Sequence, residues 1–312
     1  MPLKMGKSTR EAFGLALAAL GAERPDLVVL DADVNNSTRT EHFRKRFADR
    51  FFNVGIAESN LVGVAAGMAA SGKTPVLASF AAFLWCNAFD QIRMCVGFPN
   101  LNVKLVGSHS GISIGQDGPS QMAIEDFALS GSVPGMAVLA PCDEPSAVAA
   151  TRAMVEHTGP VYLRTGRPEA PVVYPDGCEF RIGRANRVRD GKDVTFAANG
   201  CMVALALAAA DDLALRGIQA RVLDFATIKP LDEGALLEAA RQTRGLVVAE
   251  EHLAWGGLGS AVAMALGRLR PTPLRFVNVG DTYAESGPPE GLLTKYGLTK
   301  DALLAAALEL AG

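Results

Sequence analysis

Short apolar runs alternate with longer, helix-like segments along the first half of the chain. The runs typical of buried parallel strands cover residues 26–30, 51–54, 74–78, 103–106, 136–140 and 161–164. The segments predicted as helices cover residues 8–20, 41–49, 61–70, 88–96, 120–129 and 144–157. Ser8 and Glu11 form a capping-box pattern at the start of the first helix. This alternation predicts a parallel sheet with helices on both faces.

The same alternation begins again after a stretch rich in Gly, Pro and Arg. The strands expected in this second half cover residues 194–198, 220–224, 245–250 and 274–279. The helices expected there cover residues 201–216, 257–268 and 299–310. The sequence therefore predicts an α/β protein of two doubly wound domains with mostly parallel sheets. Their expected bounds are 1–170 and 191–312, with a linker over 171–190.

Composition excludes several classes of partner. Hydrophobic residues make up 49% of the chain, and the formal net charge is −3, which argues against nucleic acid or an anionic membrane as a main partner. The N-terminus lacks the apolar core of a signal peptide, and no uncharged apolar stretch reaches the roughly 18 residues of a membrane span. The 5 cysteines contain no CxxC pair, so we expect reduced, buried thiols in a cytoplasmic protein.

Glu58 lies where an apolar strand breaks at Gly55 and a helix rich in small residues begins. The positive end of that helix dipole would lie close to its carboxylate. Two interpretations follow from the residue type. Glu58 is either an ordinary helix-start residue or a group that handles a proton.

A glycine-rich segment over residues 107–121 follows a predicted strand and carries His109, Asp117 and Gln121. Glycines let the backbone approach a ligand closely, and loops after strand ends line the ligand crevice of α/β sheets. The alternative is a solvated surface loop. No spacing of the 4 histidines indicates a metal site.

Other polar and aromatic side chains gather at segment ends. The aromatic group is Phe80, Phe83, Trp85 and Phe89, which is either core packing or a wall for a flat heterocycle. The polar group is Arg10, Ser37, Arg164 and Arg167, which are either solvated or ligands for a phosphate.

Five stretches, in this order along the chain, resemble the C-terminal half of the transketolase family. They are GIAESN (55–60), SFAAF (79–83), AFDQIRM (88–94), GSHSGISIGQDGPSQMAIED (107–126) and YLRTGRPE (162–169). The resemblance implies a pyrimidine-binding domain followed by a transketolase C-terminal domain. It also implies a thiamine diphosphate enzyme that moves a two-carbon ketol unit between phosphorylated sugars.

The resemblance assigns roles to matching positions. Glu58 matches the glutamate that pairs with the aminopyrimidine ring of the cofactor and activates it. Phe80, Phe83 and Phe89 match the aromatic surroundings of that ring. The remaining matches are His109 as a catalytic residue and sugar contact, Asp117 and Gln121 as sugar contacts, and Arg10, Ser37 and Arg167 as phosphate ligands. Two departures, Cys86-Asn87 and Gln121, leave the identity of the sugar open.

The family holds the diphosphate through Mg²⁺ at a GDG segment, and this sequence contains none. We therefore expect one subunit of a split transketolase, with Mg²⁺ bound mainly by an N-terminal partner subunit. The expected assembly is a heterotetramer around a dimer core formed by self-association of this chain. The alternatives are the β subunit of a 2-oxo acid dehydrogenase, half of a 1-deoxyxylulose-phosphate synthase-like enzyme, and a non-catalytic scaffold.

Overall fold

In the computed structural model, which describes residues 3–312, the N-terminal half follows the predicted alternation of strands and helices. Its strands are β1 (Met5–Ser8), β2 (Leu27–Asp31), β3 (Phe51–Asn53), β4 (Thr74–Phe80), β5 (Lys104–Ser108), β6 (Ala137–Leu139), β7 (Val161–Arg164) and β8 (Glu169–Pro171). Its helices are α1 (Thr9–Glu23), α2 (Asn35–Thr38), α3 (Glu41–Arg46), α4 (Glu58–Ala70), α5 (Ala81–Gln91), α6 (Asp126–Ser132) and α7 (Glu144–Glu156). A π-helical turn, Ile92–Gly97, continues α5.

The C-terminal half repeats the pattern on a smaller scale. Its strands are β9 (Asn186–Arg189), β10 (Val194–Ala198), β11 (Ala220–Asp224), β12 (Thr227–Lys229), β13 (Leu246–Ala249) and β14 (Leu274–Val277). Its helices are α8 (Met202–Ala214), α9 (Glu233–Gln242), α10 (Leu258–Leu269), α11 (Pro289–Lys295) and α12 (Lys300–Ala311).

Two sheets organise the structure. The larger has the order β12-β6-β7-β5-β4-β2-β3, and the smaller has the order β14-β13-β10-β11-β9. The pairs inside each sheet are parallel, except that β12 runs antiparallel to β6 and β9 antiparallel to β11. The predicted fold class of two α/β domains with mostly parallel sheets is therefore confirmed.

Strand β12 joins the two halves. It follows β11 of the smaller sheet, yet it pairs with β6 of the larger one. Ile228 of β12 and Phe225 just before it belong to the same buried cluster as Phe127 and Val138 of the N-terminal half. The two domains thus share one hydrophobic core, which fixes the loops of one domain against those of the other.

The expected helix over 120–129 is wrong. The backbone of Gly111 donates a hydrogen bond to the carbonyl of Ala123, 2.7 Å away, and Ser110 and Ala123 form an isolated bridge. Ala123 is therefore held extended, and the helix begins only at Asp126. The helix expected over 61–70 in fact begins at Glu58, and the one expected over 88–96 begins at Ala81.

The expectation of buried thiols holds only in part. Cys142 is buried, Cys86 is exposed, and the other three cysteines are intermediate. Cys86 is exposed because it lies on a face of α5 that turns away from the core. Within residues 3–312, no helix is both long and apolar enough to cross a bilayer.

Candidate active site

The candidate residues gather at one edge of the larger sheet, where the parallel strands end. Ser37 follows β2, Glu58 follows β3, Phe80 ends β4, and His109 follows β5. The chain places β3 on one side of β2 and then returns to add β4 on the other side. Ligands of open α/β sheets bind outside the carboxyl ends of strands at such a reversal.

Glu58 is the first residue of α4 and is only 6% exposed. The hydroxyl of Ser79, in β4, donates a hydrogen bond of 3.0 Å to its Oε1. Its position in the first turn places the carboxylate near the positive end of the helix dipole. Glu58 is therefore a helix-start residue, as one interpretation holds. Its carboxylate is also buried near the end of β4, as a proton-handling group requires.

Three rings stack at the carboxyl end of β4, the strand that carries Ser79. The ring centroids of Phe80 and Phe83 lie 5.4 Å apart with nearly parallel planes, and those of Phe80 and His109 lie 3.8 Å apart. Phe80 and Phe83 are only partly buried, so part of this stack is accessible to a flat ligand. Phe89 does not join this stack. It packs against Trp85 in the core, with centroids 6.5 Å apart.

Arg10, Ser37 and His109 are distant in sequence and meet in space. Nη1 of Arg10 donates to the carbonyl of Ser37 and to Nε2 of His109, each at 3.0 Å. Since a guanidinium only donates, Nε2 accepts and the ring proton lies on Nδ1, which is 2.8 Å from the hydroxyl of Ser108. His109 has a φ of 58°, a conformation uncommon outside glycine that is found at ligand sites.

Positive charge is concentrated around His109. Burial, and then the nearby charges of Arg10, Arg167 and Arg39, lower the pKa of His109 to about 3, so the ring is neutral at physiological pH. Burial, followed by Arg39 and Arg167, lowers the pKa of Arg10 to about 10, which leaves it charged. Neighbouring guanidinium groups of this kind bind phosphate or another anion.

Asp117 and Arg167 form the outer part of this region. Their nearest charged atoms are 3.6 Å apart, and Nη1 of Arg167 also donates to the carbonyl of Ile114 at 2.8 Å. Gln121 accepts a hydrogen bond of 2.5 Å from the hydroxyl of Ser120. Arg10, Arg39 and Arg167 are called the arginine group below. The structure therefore joins Asp117 to the arginine group, whereas the contact of Gln121 with a sugar stays a prediction.

The loop that carries Ser37 is held by Asp31, which we did not single out from the sequence. The carboxylate of Asp31 accepts hydrogen bonds from the amide of Val34 at 2.6 Å and from the hydroxyls of Thr38 and Thr40 at 2.7 and 2.8 Å. The signal in the sequence was the acid at the end of an apolar strand, followed by two threonines. Asp31 presets this loop before any ligand binds.

Asp31 gives a pH-dependent prediction. Burial raises its pKa to about 6, against the opposing effect of its hydrogen bonds, whereas an unfolded aspartate has a pKa of about 3.9. The folded state binds the proton more tightly, so this carboxyl makes the free energy of unfolding fall as pH rises from about 4 to about 6. In Asp31→Asn the threonine hydroxyls rotate to accept from the side-chain amide, so the loop keeps its hydrogen bonds. We expect the fall in the free energy of unfolding between about pH 4 and about pH 7 to be smaller in this variant by about 2–3 kcal/mol.

Urea unfolding of both proteins at about pH 4 and about pH 7 measures the difference, because every other titrating group is common to the two. An equal change in free energy for wild type and Asp31→Asn would contradict the prediction.

The loop over residues 107–121 is anchored by the C-terminal domain. Glu251 accepts from the amide of Ser113 at 2.5 Å, and a Cβ on Gly111 would lie 2.2 Å from its carboxyl carbon. Arg164 donates to the carbonyl of Glu251 at 2.9 Å and forms a buried ion pair of 2.9 Å with Asp126. Arg164 is therefore a buried structural residue and neither of the alternatives that the sequence offered.

Among residues 3–312, no three or more His, Cys, Asp or Glu side chains are grouped to hold a metal ion. The buried carboxylate of Glu58 beside free aromatic faces fits an aminopyrimidine ring. The chain's own residues therefore suit the ring end of thiamine diphosphate, and the arginine group suits the charged end of a sugar.

Comparisons with known proteins agree with this architecture. Residues 5–172 match the family described as "Transketolase, pyrimidine binding domain", and residues 183–303 match "Transketolase, C-terminal domain". A solved structure titled "Split gene transketolase, inactive beta4 tetramer" is 46% identical with a TM-score of 0.90, and the match covers 98% of each chain. The transketolase of Campylobacter jejuni shares the fold, with a TM-score of 0.81 at 18% identity.

Curated relatives include separate subunits and full-length enzymes. The 6-deoxy-6-sulfo-D-fructose transketolase subunit SqwH of Clostridium sp. (strain MSTE9) is 43% identical, over 92% of this chain and 90% of its own length. The putative transketolase C-terminal section of Methanocaldococcus jannaschii is 40% identical, over 97% and 96%. Mouse transketolase is 42% identical, but the chain spans only 48% of its length. This chain therefore belongs to the transketolase family, as its motifs predict, and is similar over nearly its whole length to subunits of split transketolases.

Proposed function

We propose that this chain is the subunit of a thiamine diphosphate-dependent transketolase that activates the cofactor and binds the sugar phosphate. The observation that carries the proposal is the meeting of Arg10, Ser37 and His109 beside the aromatic stack next to Glu58. One sheet edge thus offers a proton-handling group, a surface for a flat ring and an anion site.

Glu58 is the group that works on the ring. When bound, thiamine diphosphate supplies the electron sink for cleaving and transferring a two-carbon ketol fragment. Glu58 would hold and exchange a proton with a nitrogen of the bound ring, a role that suits a carboxyl shielded from water. Ser79 fixes the orientation of the carboxylate through its hydrogen bond to Oε1, and Phe80 and Phe83 exclude water from one side.

The arginine group positions the substrate. Arg10 and Arg167 bind the terminal anion. Both nitrogens of the neutral His109 ring are engaged, by Arg10 and by Ser108, so His109 contacts a sugar hydroxyl by exchanging one of these hydrogen bonds for one to the sugar. A phosphate is the first candidate for this anion. A sulfonate is the second, because a relative 43% identical to this chain is named as a 6-deoxy-6-sulfo-D-fructose transketolase subunit.

The diphosphate and Mg²⁺ lie mainly on a partner subunit. The sequence has no GDG segment, and mouse transketolase is about twice as long as the part that matches here. Ile56, two residues before Glu58, is 84% exposed, and Phe52 nearby is also exposed. Exposed apolar side chains at the mouth of a site mark a contact surface, which here suits the partner subunit, with self-association through other faces.

Arg10→Ala tests the proposed role in anion binding. In the complex with the partner subunit, we expect KM for ribose 5-phosphate to rise about 10–100-fold, because a hydrogen bond to a charged group is worth about 1.5–3 kcal/mol. The KM for unphosphorylated ribose should change far less. The same pair of measurements with fructose 6-phosphate and 6-deoxy-6-sulfofructose as donors distinguishes phosphate from sulfonate.

Arg44→Ala is the matched control, since Arg44 is exposed on α3. Equal effects of Arg10→Ala on the phosphorylated and unphosphorylated sugars would show that Arg10 does not bind the anion.

A further inference from the structure

A second ligand-sized space lies between the two domains. This cavity has a volume of about 620 Å³ and is lined by loops from both sheets, including Ser113, Thr165, Asn199, Cys201 and Glu251. Its volume is in the range of small-molecule sites, about 300–1,000 Å³. None of the roles given above to the sheet edge around Glu58 uses this space.

The cavity lies at the reversal point of the smaller sheet. The chain adds β11 to one side of β10 and then returns to add β13 to the other side. Asn199 follows the carboxyl end of β10, and Glu250 and Glu251 follow that of β13. Ligands of open α/β sheets bind at such a reversal, so the smaller sheet has a ligand position of its own, separate from that of the larger sheet.

The charge of the lining selects the ligand. Three glutamates line the cavity. Burial raises the pKa of the Glu251 carboxyl, so the negative charge of the lining comes chiefly from Glu169 and Glu290, which are exposed. Among the described residues of the lining, Arg164 is the one basic side chain, and it is already paired with Asp126 and bonded to backbone carbonyls. An acidic lining repels sugar phosphates and attracts a cation.

A large apolar part of the lining comes from prolines and leucine. Prolines at 141, 168, 171, 288 and 289, together with Leu293, form much of the wall. Proline rings and leucine side chains provide flat surfaces without hydrogen-bonding groups, which suit an organic body more than a hydrated metal ion.

Asn199 adds an unused polar group to the lining. It is 1% exposed, and within residues 3–312 neither its Oδ1 nor its Nδ2 has a hydrogen-bond partner. Buried amides are nearly always hydrogen-bonded in proteins, so an unpaired one calls for a partner from outside the chain. A small rotation of the side chain would bring its oxygen to an N–H group of a ligand in the cavity.

We propose that the interdomain cavity binds a small organic cation with a flat apolar body. Binding of this cation reduces the mobility of the loop over residues 107–121. Ser110 and Ser113 of this loop line the cavity and follow His109 closely in the sequence. Glu251 lines the cavity as well and anchors Ser113. A ligand that contacts these groups therefore stiffens the loop that also carries His109 and Asp117.

Three probes of one shape and different charge test the ligand class. Benzamidine is a cation, benzamide is neutral and benzoate is an anion, while all three carry the same flat ring. Titration calorimetry on the full chain should give at least about tenfold tighter binding for benzamidine than for benzamide, and none for benzoate. An affinity for benzoate equal to that for benzamidine, or no binding of any probe, would overturn the proposal.

A matched pair of variants tests the location. Ala204 of α8 lines the cavity and also an adjacent hollow, whereas Ala208, one turn later, lines only the adjacent hollow. Ala204→Phe fills the cavity and should abolish benzamidine binding, while Ala208→Phe should leave it unchanged. Retained binding in Ala204→Phe, with the same unfolding temperature as wild type, would place the ligand elsewhere.

Hydrogen exchange provides a readout that does not depend on turnover. Benzamidine should slow amide exchange over residues 110–115 in wild type and in Ala208→Phe, and leave it unchanged in Ala204→Phe. Binding without any slowing in this loop would refute the coupling to the substrate loop. Because the sugar site plays no part in these measurements, they are independent of the proposed transketolase role.

Discussion

Glu58→Gln is expected to lower kcat of the reconstituted complex by about 10²–10⁴-fold, the usual contribution of a positioned acid–base group. Glutamine has nearly the same shape and still accepts the hydrogen bond from Ser79, but it cannot exchange a proton with the ring. The loss should therefore fall on kcat, with KM for both sugars changing little. Steady-state kinetics at saturating thiamine diphosphate and Mg²⁺ measures it.

Glu156→Gln is the control for this experiment, because Glu156 is exposed at the end of α7. An unfolding temperature of Glu58→Gln close to that of wild type would separate a catalytic loss from misfolding. If Glu58→Gln retained nearly full kcat, the alternative of a non-catalytic scaffold would be preferred.

The second large effect concerns the partner subunit. This chain alone, supplied with thiamine diphosphate and Mg²⁺, should show no ketol transfer above the rate without protein. Adding an N-terminal subunit that carries the diphosphate segment should restore turnover, because Glu58 and the arginine group then face a complete cofactor site. Coupled assays across a range of mixing ratios should reach a maximum at equal amounts of the two chains.

Each chain assayed alone, and the active mixture at the same total concentration, are the controls. Full activity of this chain by itself would contradict the split arrangement. It would also show that the chain binds the diphosphate through residues that do not resemble the family's usual segment.

The course of the fold was predictable because buried parallel strands leave a clear signal. Runs such as 161–164 and 194–198 are mostly apolar, and the structure has strands at the same positions that are buried along their whole length. Strand β12 was missed, because three residues give no periodicity and its partner β6 lies about 90 positions earlier in the chain. Helix α9 was missed although Asp232 caps it, since its apolar face is narrow and its outer face highly charged.

The sequence predicted those candidate residues that directly follow the ends of strands, such as Glu58, His109 and Ser37. Neither the pattern nor the resemblance predicted how these residues are held. The hydrogen bonds from Arg10 to His109 and from Ser113 to Glu251 span 99 and 138 positions. Phe89 shows the converse: the resemblance placed it in the aromatic surroundings of the cofactor ring, but the turn of α5 carries it to Trp85.

The pairing of β12 with β6 restricts how this protein can be recombined. A chimera that exchanges everything after residue 190 for another C-terminal domain also replaces the edge strand of the N-terminal sheet. Deleting that domain would leave the outer edge of β6 unpaired, and exposed sheet edges of this kind promote aggregation. Moving the crossover beyond residue 229 would keep β12 but divide the smaller sheet between β11 and β13, so a replacement domain has to bring its own strand that pairs with β6.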